Sequence, residues 1–413
     1  MSRSLAIGLL LMTSAALNAA DWSQWRGPTR DCRLAEQQEW PESLENEHLT
    51  QSWQVPLGPS YSGPVIAGNT VFVTETQAET NEIVRALDRG TGELIWKTEW
   101  PGALKVAFFA RANGSWIRST PATDGQSLYV AGIRDVLVSL DVETGNENWR
   151  VDLVKTFDAA LPGFGTVCSP LVDGEYLYLQ AAASVVKISA NNGSVVWRSK
   201  PESGGLFGAG MGASAFSSPV MATIQGVRQL VVQSRKSLFG VDLDTGKRLW
   251  TINVEAYRGM NILTPTVIGN SVFTSTYGGG TFLYDVTKSA SGFDVTERWN
   301  TNKEGYMSSP VVVDGRVFLH LRNQRFTCID PATGETDWTT RPFGKYWSTV
   351  ANGNRLLVLD QRGKLHLIHA TPDEYRELST RTVSESETWA HLAISDDQVF
   401  VRDLDALTMW SWR

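Results

Sequence analysis

Apolar residues in this chain fall in short runs that end at turn residues, and no long helical stripe appears. The stretch 119–153 is representative: STPATDGQSLYVAGIRDVLVSLDVETGNENWRVDL. Its β-branched, aromatic and leucine runs are broken every few positions by glycine, aspartate or asparagine, which predicts strands separated by tight turns. Four strands are expected: Thr120–Thr123, Ser127–Ala131, Val136–Leu140 and Asn146–Asp152. The last turn carries its own chemistry. The Asp141 side chain can accept downstream backbone amides, Gly145 can take the positive φ that closes the turn, and Trp149 then starts the outermost strand.

That phrase returns as LDRGTGELIW (87–96), LDVETGNENW (140–149), ISANNGSVVW (188–197), VDLDTGKRLW (241–250) and IDPATGETDW (329–338). The first strand of each copy opens with Ser or Thr near a proline, and these prolines stand at 64, 121, 170, 219, 265 and 310. A period near 45 with four strands per unit is the signature of a propeller. Two weaker copies start at Ser348 and His391, and the last runs out of chain after three strands. The stretch LTQSWQVPLG (49–58) has no unit in front of it and can supply the missing strand. The predicted fold is all-β: an eight-bladed β-propeller of four-stranded antiparallel blades, its last blade closed by an N-terminal strand. Neighbouring blades splay apart toward the rim, so Trp53, Trp96, Trp149, Trp197, Trp250, Trp299 and Trp338 are expected to fill the gaps. Blade seven lacks such a tryptophan in EYRELSTRTV and is expected to be the loosest wedge.

Composition narrows the class. The 413 residues are 42% hydrophobic and 20% charged, ordinary for a globular chain. A net charge of −7 argues against a nucleic-acid partner. Residues 1–20 read as a signal peptide: a basic start at Arg3, an apolar run from Leu5 to Met12, then small residues. Residues 21–47 read as an N-terminal extended segment and 48–413 as the propeller. A periplasmic or secreted bacterial protein with no membrane span, working as a monomer, is expected. Cys32, Cys168 and Cys328 allow at most one disulfide, and the latter two read as buried hydrophobes.

The Ala/Ser-Leu-Asp-x-x-Thr-Gly-x-x-x-Trp phrase, the Ser/Thr-Pro openings and the docked tryptophans resemble the PQQ-like repeat of quinoprotein propellers, from Asp21 to the C-terminus. Even DWSQWRGPTRD (21–31) looks like the stretch before the first blade in that superfamily. The motif is specific for fold and much less so for function, since the superfamily holds quinoprotein dehydrogenases, a propeller lipoprotein of outer-membrane protein assembly, and secreted propellers without established activity. The dehydrogenases hold PQQ over the axis with calcium, an aspartate base and usually two adjacent cysteines. No adjacent cysteines occur here, and no converging oxygen set for calcium can be named. The resemblance therefore implies a non-catalytic binding or protein-interaction scaffold with no cofactor; the alternative is a PQQ-dependent alcohol or sugar oxidoreductase using PQQ with calcium.

Other chemistries lack motifs. The five histidines show no ligand spacing, and His366 and His369 point to opposite faces of a strand. No GxSxG elbow appears. The glycine-rich 204–216 reads as a lid-like connection between blades. The residues leading into the inner strands carry aromatics: Tyr61, Trp116, Phe164, Phe216, Tyr306, Trp347 and Trp389. They either ring one end of the axial channel or plug the connections. The same face is expected to carry Arg111, Arg118, Arg134, Arg235, Lys236, Arg258, Arg322, Arg325, Lys345, Arg362 and Arg402, opposite a back rich in aspartate. Glu75, Glu79 and Glu82 break the pattern, and Asp135 and Asp403 dilute it. The predicted ligand site is Arg111, Trp116, Arg118, Phe164, Phe216, Tyr306, Lys345, Trp347 and Trp389, receiving a protein partner or a small anionic ligand.

Overall fold

Strand pairing in the computed structural model, which describes residues 21–34, 38–106, 114–201 and 212–412, yields eight four-stranded antiparallel sheets. Blade one is Val65–Ala67, Thr70–Gln77, Asn81–Asp88 and Leu94–Pro101, from the axis outward. Blades two to seven repeat that order. In blade eight, Leu49–Pro56 pairs with Ala406–Trp412 outside Gln398–Arg402 and Ala393–Ser395. The ring is thus closed by the N-terminal strand, and closure joins the two ends of the chain in one sheet. No helix among the described residues is long and apolar enough to cross a membrane.

The repeated phrase folds as its chemistry dictates. Asp141 Oδ1 accepts the amides of Glu143 (3.1 Å) and Thr144 (2.8 Å) and the Thr144 hydroxyl (2.7 Å), and Gly145 closes the turn at φ 72°. The tryptophan that follows leaves its own blade. Trp96 donates its indole N–H to Val142 O (2.9 Å), Trp149 to Ala190 O (2.8 Å), Trp197 to Leu243 O (2.9 Å), Trp299 to Pro331 O (2.9 Å) and Trp338 to Thr371 O (2.9 Å), each in the next blade's turn. Trp53 does the same to Arg89 O (3.0 Å), so blade eight is tied to blade one by the same device. Trp250 departs from the rule. Blade five replaces the phrase with a long hairpin, Gly280–Ser289 and Gly292–Thr301, and Trp250 donates to Gln229 Oε1 of its own blade (2.7 Å).

The core lies between blades, where buried clusters join neighbours. Blade seven is not the loose wedge its sequence implied. The N-terminal segment supplies Trp40 and Leu44 to the gap between blades seven and eight, where Trp40 meets Trp412 at 5.1 Å and Arg381 covers Trp410 at 4.9 Å. The missing tryptophan is replaced by residues distant in sequence. All three cysteines are free and buried. The 1–20 stretch and most of 204–216 lie outside the described residues.

Candidate functional site: an axial cavity with a blind floor

A residue before proline is disfavoured from the helical region, and in the repeated Ser/Thr-Pro openings its hydroxyl joins the blades around the axis. Thr120 Oγ1 accepts the Gly63 amide (2.9 Å), Ser169 Oγ that of Thr120 (3.0 Å), Ser218 Oγ that of Ser169 (3.0 Å) and Ser309 Oγ that of Thr264 (3.1 Å). Across blades seven and eight, Ser348 Oγ accepts the Leu392 amide at 3.0 Å. The Ser/Thr-Pro signature is therefore a hydrogen-bonded girdle. Gly63 holds the place of the hydroxyl in blade one because a Cβ there would lie 2.5 Å from the His391 carbonyl oxygen.

Residues 21–34 cross the axis on the face where the inner strands end. Trp22 O accepts the Ile66 amide (3.0 Å), Ser23 O that of Thr123 (2.8 Å) and Cys32 O that of Ala351 (2.7 Å). Arg30 donates to the carbonyls of Pro170 (2.7 Å) and Ser169 (3.1 Å), and Arg26 to that of Pro310. One segment thus touches blades one, two, three, six and seven and stops the channel. Arg26, Arg30 and Cys32 all sit at positive φ, conformations that persist only where surrounding contacts over-determine them.

Above this plug a cavity of about 240 Å3 opens to the other face. Trp25 lies at its base, with the guanidiniums of Arg26 and Arg30 each 5.5 Å from its ring. Tyr61, Phe164, Phe216, Tyr306, Trp347 and Trp389 line the wall together with Arg118, His391 and the girdle hydroxyls. Among the described residues the lining has no carboxylate. Burial draws the Arg30 guanidinium down to about 10, yet it stays charged at neutral pH with no acidic partner among the described residues.

Of the predicted site residues, Arg118, Phe164, Phe216, Tyr306, Trp347 and Trp389 come together. Trp116 stands on the rim against Tyr61 (5.2 Å), and Lys345 lies over Tyr346 (5.0 Å), outside the lining. Arg111 is outside the described residues. Trp347 is largely a packing residue, 5% exposed and stacked on His320 at 4.7 Å, so the ring and plug readings both apply to it. Around the rim the rings touch in sequence: Trp116, Tyr61, Trp389 (4.7 Å), Tyr346 (4.5 Å), Tyr306 (6.2 Å), Tyr277 (5.4 Å) and Tyr257 (5.0 Å). Trp25 was missed in sequence because its segment does not repeat, and Tyr277 because it sits in a loop between second and third strands.

The charge pattern needs correction. Arg402 is buried and hydrogen-bonded to the carbonyls of Ala406 and Gly58, so it is not a surface cation of the mouth. Glu75 and Glu82, expected to break the pattern, and Asp135 and Asp403, expected to dilute it, are buried too. Glu304, Glu255 and Glu387 stand on connections of the mouth face, and Glu304 pairs with Arg322 at 3.2 Å. Among the described residues Arg118 is the one Lys or Arg that lines the cavity, and the mouth face around it carries acids as well as bases.

Two chemistries can be tested against this geometry. Cys32 Sγ is 3.3 Å from His391 Nε2, but burial pushes the thiol up to about 11 and holds the imidazole down near 3. Both are neutral at neutral pH, the reverse of an activated thiolate. A calcium-bound quinone would require several oxygen ligands, carboxylates among them. The lining offers hydroxyls and rings, and no cluster of three or more His, Cys, Asp or Glu among the described residues could hold a metal. The residues do not fit that group.

Known proteins locate the chain further. A BamB from Yersinia pestis is 20% identical over 379 residues, covering 87% of this chain and 88% of that one. One from Burkholderia pseudomallei is 24% identical over 302 residues, covering 70% and 68%. The solved BamB of Moraxella catarrhalis superposes with a TM-score of 0.64 at 16% identity, over 88% of this chain and 100% of that one. Quinohemoprotein alcohol dehydrogenase ADHIIG of Pseudomonas putida reaches 0.65 at 12% identity, over 95% and 80%. At such identities the structures show the fold alone. A family model described as outer membrane protein assembly factor BamB matches residues 80–340, and the chain belongs to that family.

Proposed function

We propose that this chain is a non-catalytic, protein-binding propeller of the bacterial cell envelope that acts in the assembly of outer membrane proteins, as the description of its family suggests. Residues 1–20, read as a signal peptide, support a periplasmic site of action, and we propose that it works there as a monomer. The observation that carries the reading is the continuous arc of seven aromatic rings around a cavity lined by no carboxylate among the described residues. Flat rings with polar tips suit an extended peptide, and they supply none of the ligands a calcium–quinone pair needs.

The test places a photo-crosslinking amino acid at Trp116 or Lys345 on the mouth and at Asp124 on the back, in cells. Crosslinks to outer membrane proteins or their assembly components from the mouth positions alone are expected. Stoichiometric uptake of PQQ with calcium, accompanied by dye reduction with an alcohol or sugar, would replace this reading with the oxidoreductase.

A further inference from the structure

We infer that the axial cavity is a socket for one tyrosine side chain of an extended partner segment, its phenol oxygen on the floor, an inference that rests on the protein-binding reading above.

The cavity changes chemistry with depth. Thr120, Ser169, Ser309 and Ser348 line it at the level of the plug, where the Ser169 carbonyl accepts from Arg30 (3.1 Å) and the Pro310 carbonyl from Arg26. Tyr61, Phe164, Phe216, Tyr306 and Trp389 stand a few residues earlier in the connections that lead down to the girdle, so the rings form the wall nearer the mouth. The plug closes the bottom. A side chain entering from the mouth face therefore meets rings first and hydroxyls last.

Those four hydroxyls each accept one backbone amide and donate to no other group among the described residues. Each keeps a proton and a lone pair for a ligand. The wall favours a flat ring, and the floor favours one whose far end is polar. Phenylalanine would take water from the hydroxyls and return no partner, which is costly for a buried donor. Tyrosine returns an acceptor and a donor through a single oxygen. A lysine or arginine would find no carboxylate in the lining among the described residues. Arg118 takes no part in the preference: it donates to the Gly114 carbonyl (2.6 Å) and lies over Tyr61 (5.6 Å) as a fixed piece of the wall. At about 240 Å3 the cavity is smaller than the ~300–1,000 Å3 of a site for a whole drug-sized ligand, which suits one side chain.

The arc assigns the source of that side chain. From Tyr306 it continues outward through Tyr277 to Tyr257, which is 46% exposed, and offers a surface to the residues flanking the tyrosine. The Trp389 indole N–H, without an acceptor among the described residues, adds a donor for a backbone carbonyl of the same segment. A free phenol would fill the cavity and leave both unused.

The test uses calorimetry on the folded chain with a glycine- and serine-rich hexapeptide, capped at both ends so that it carries no charge, with one central tyrosine. It should bind roughly five- to fiftyfold more tightly than the same peptide with phenylalanine, the worth of one hydrogen bond whose loss leaves a buried group unpaired. It should also bind more tightly than N-acetyl-tyrosinamide. Ile262→Trp, which fills the cavity from its wall, should abolish binding with the thermal melt unchanged, and Val167→Trp does the same from another blade should the first variant melt early. Equal binding of the tyrosine and phenylalanine peptides by the unmutated chain, or no binding of the tyrosine peptide at millimolar concentration, overturns the inference. Equal binding of N-acetyl-tyrosinamide overturns the peptide source, and binding that survives a folded tryptophan variant overturns the cavity as its place. Mouth crosslinks that persist in any of these cases would leave the protein-binding reading standing, so the two failures can be told apart.

Discussion

The indole of Trp96 lies against Gly145, a residue of the next blade and of the next copy of the same phrase. A Cβ on Gly145 would come within 2.5 Å of the ring, and the residue holds φ at 72°. Gly92 faces Trp53, Gly193 faces Trp149, Gly246 faces Trp197 and Gly334 faces Trp299 in the same way. These five copies therefore each provide the socket for the tryptophan of the blade before, which is how a linear repeat becomes a ring.

Gly145→Ala should thus act as a docking mutation. Trp96→Ala should cost about 3–5 kcal/mol, as other large buried truncations do, and Gly145→Ala should destabilise through both strain and displacement of the indole. Because the two residues share one contact, their effects should fall short of additivity by roughly 0.5–3 kcal/mol in urea unfolding. Strict additivity would mean the socket does not hold the ring.

Closure should be sensitive at Gly63. Gly63→Ala would press a methyl into the His391 carbonyl at the joint between blades one and eight. Hydrogen exchange should then accelerate first in Leu49–Pro56 and its partner Ala406–Trp412. Uniform loss of protection around the ring would contradict a local joint.

Glu82 gives the stability a pH dependence of known sign. Its carboxylate accepts the Ile133 amide (2.6 Å) and the Trp100 indole N–H (2.9 Å), yet burial raises its pKa to about 7. The folded state therefore binds the proton more tightly than the unfolded chain, so the stabilisation present below the ordinary glutamate pKa is lost as pH rises toward 7 and beyond. Burial of neutral His391, held near 3, works the other way: its contribution is present above the ordinary histidine pKa and lost as pH falls. Glu82→Gln should remove the downward slope between about pH 5 and 8, on the order of 3 kcal/mol, leaving the histidine limb. The slope of melting temperature against pH decides this, since the amide carries its own offset against two N–H donors.

The thiols should be silent in the folded protein. Cys32 and Cys168 are buried with pKa values raised to about 11, and Cys328 is buried as well. A thiol-reactive dye at pH 8 should label none of the three until denaturant unfolds the chain. Rapid labelling of Cys32 would show that the plug opens.

Rim aromatics should separate binding from folding. Trp116 and Trp389 can be changed to alanine together without emptying a core cluster, whereas Trp347→Ala should lower the melting temperature sharply because His320 and Phe326 stack on it. Loss of mouth crosslinks in the rim double variant, with an unchanged melt, is expected. Loss of the melt in that variant would make these rings plugs.

Much of this molecule is written locally. Strand lengths, turn positions, the number of blades and the strand that closes the last one follow from short-range rules: alternation, Asp-capped turns and glycine at positive φ, repeated often enough to be read. The aromatic residues before the inner strands could be assigned to the axis because each holds the same place in its repeat. Partnership could not. Which glycine receives which tryptophan, why Trp250 turns back to Gln229, and how Trp40 and Leu44 replace the tryptophan missing from blade seven all depend on contacts between segments far apart in the chain. The cavity is blind because a non-repeating N-terminal segment crosses the axis and sets Trp25 at its base, and no periodicity announces such a segment. Charge was legible by position but not by burial. Arg402 and Glu82 look like surface residues in a turn-flanked strand, and only the neighbouring blade shows that water has been taken from them.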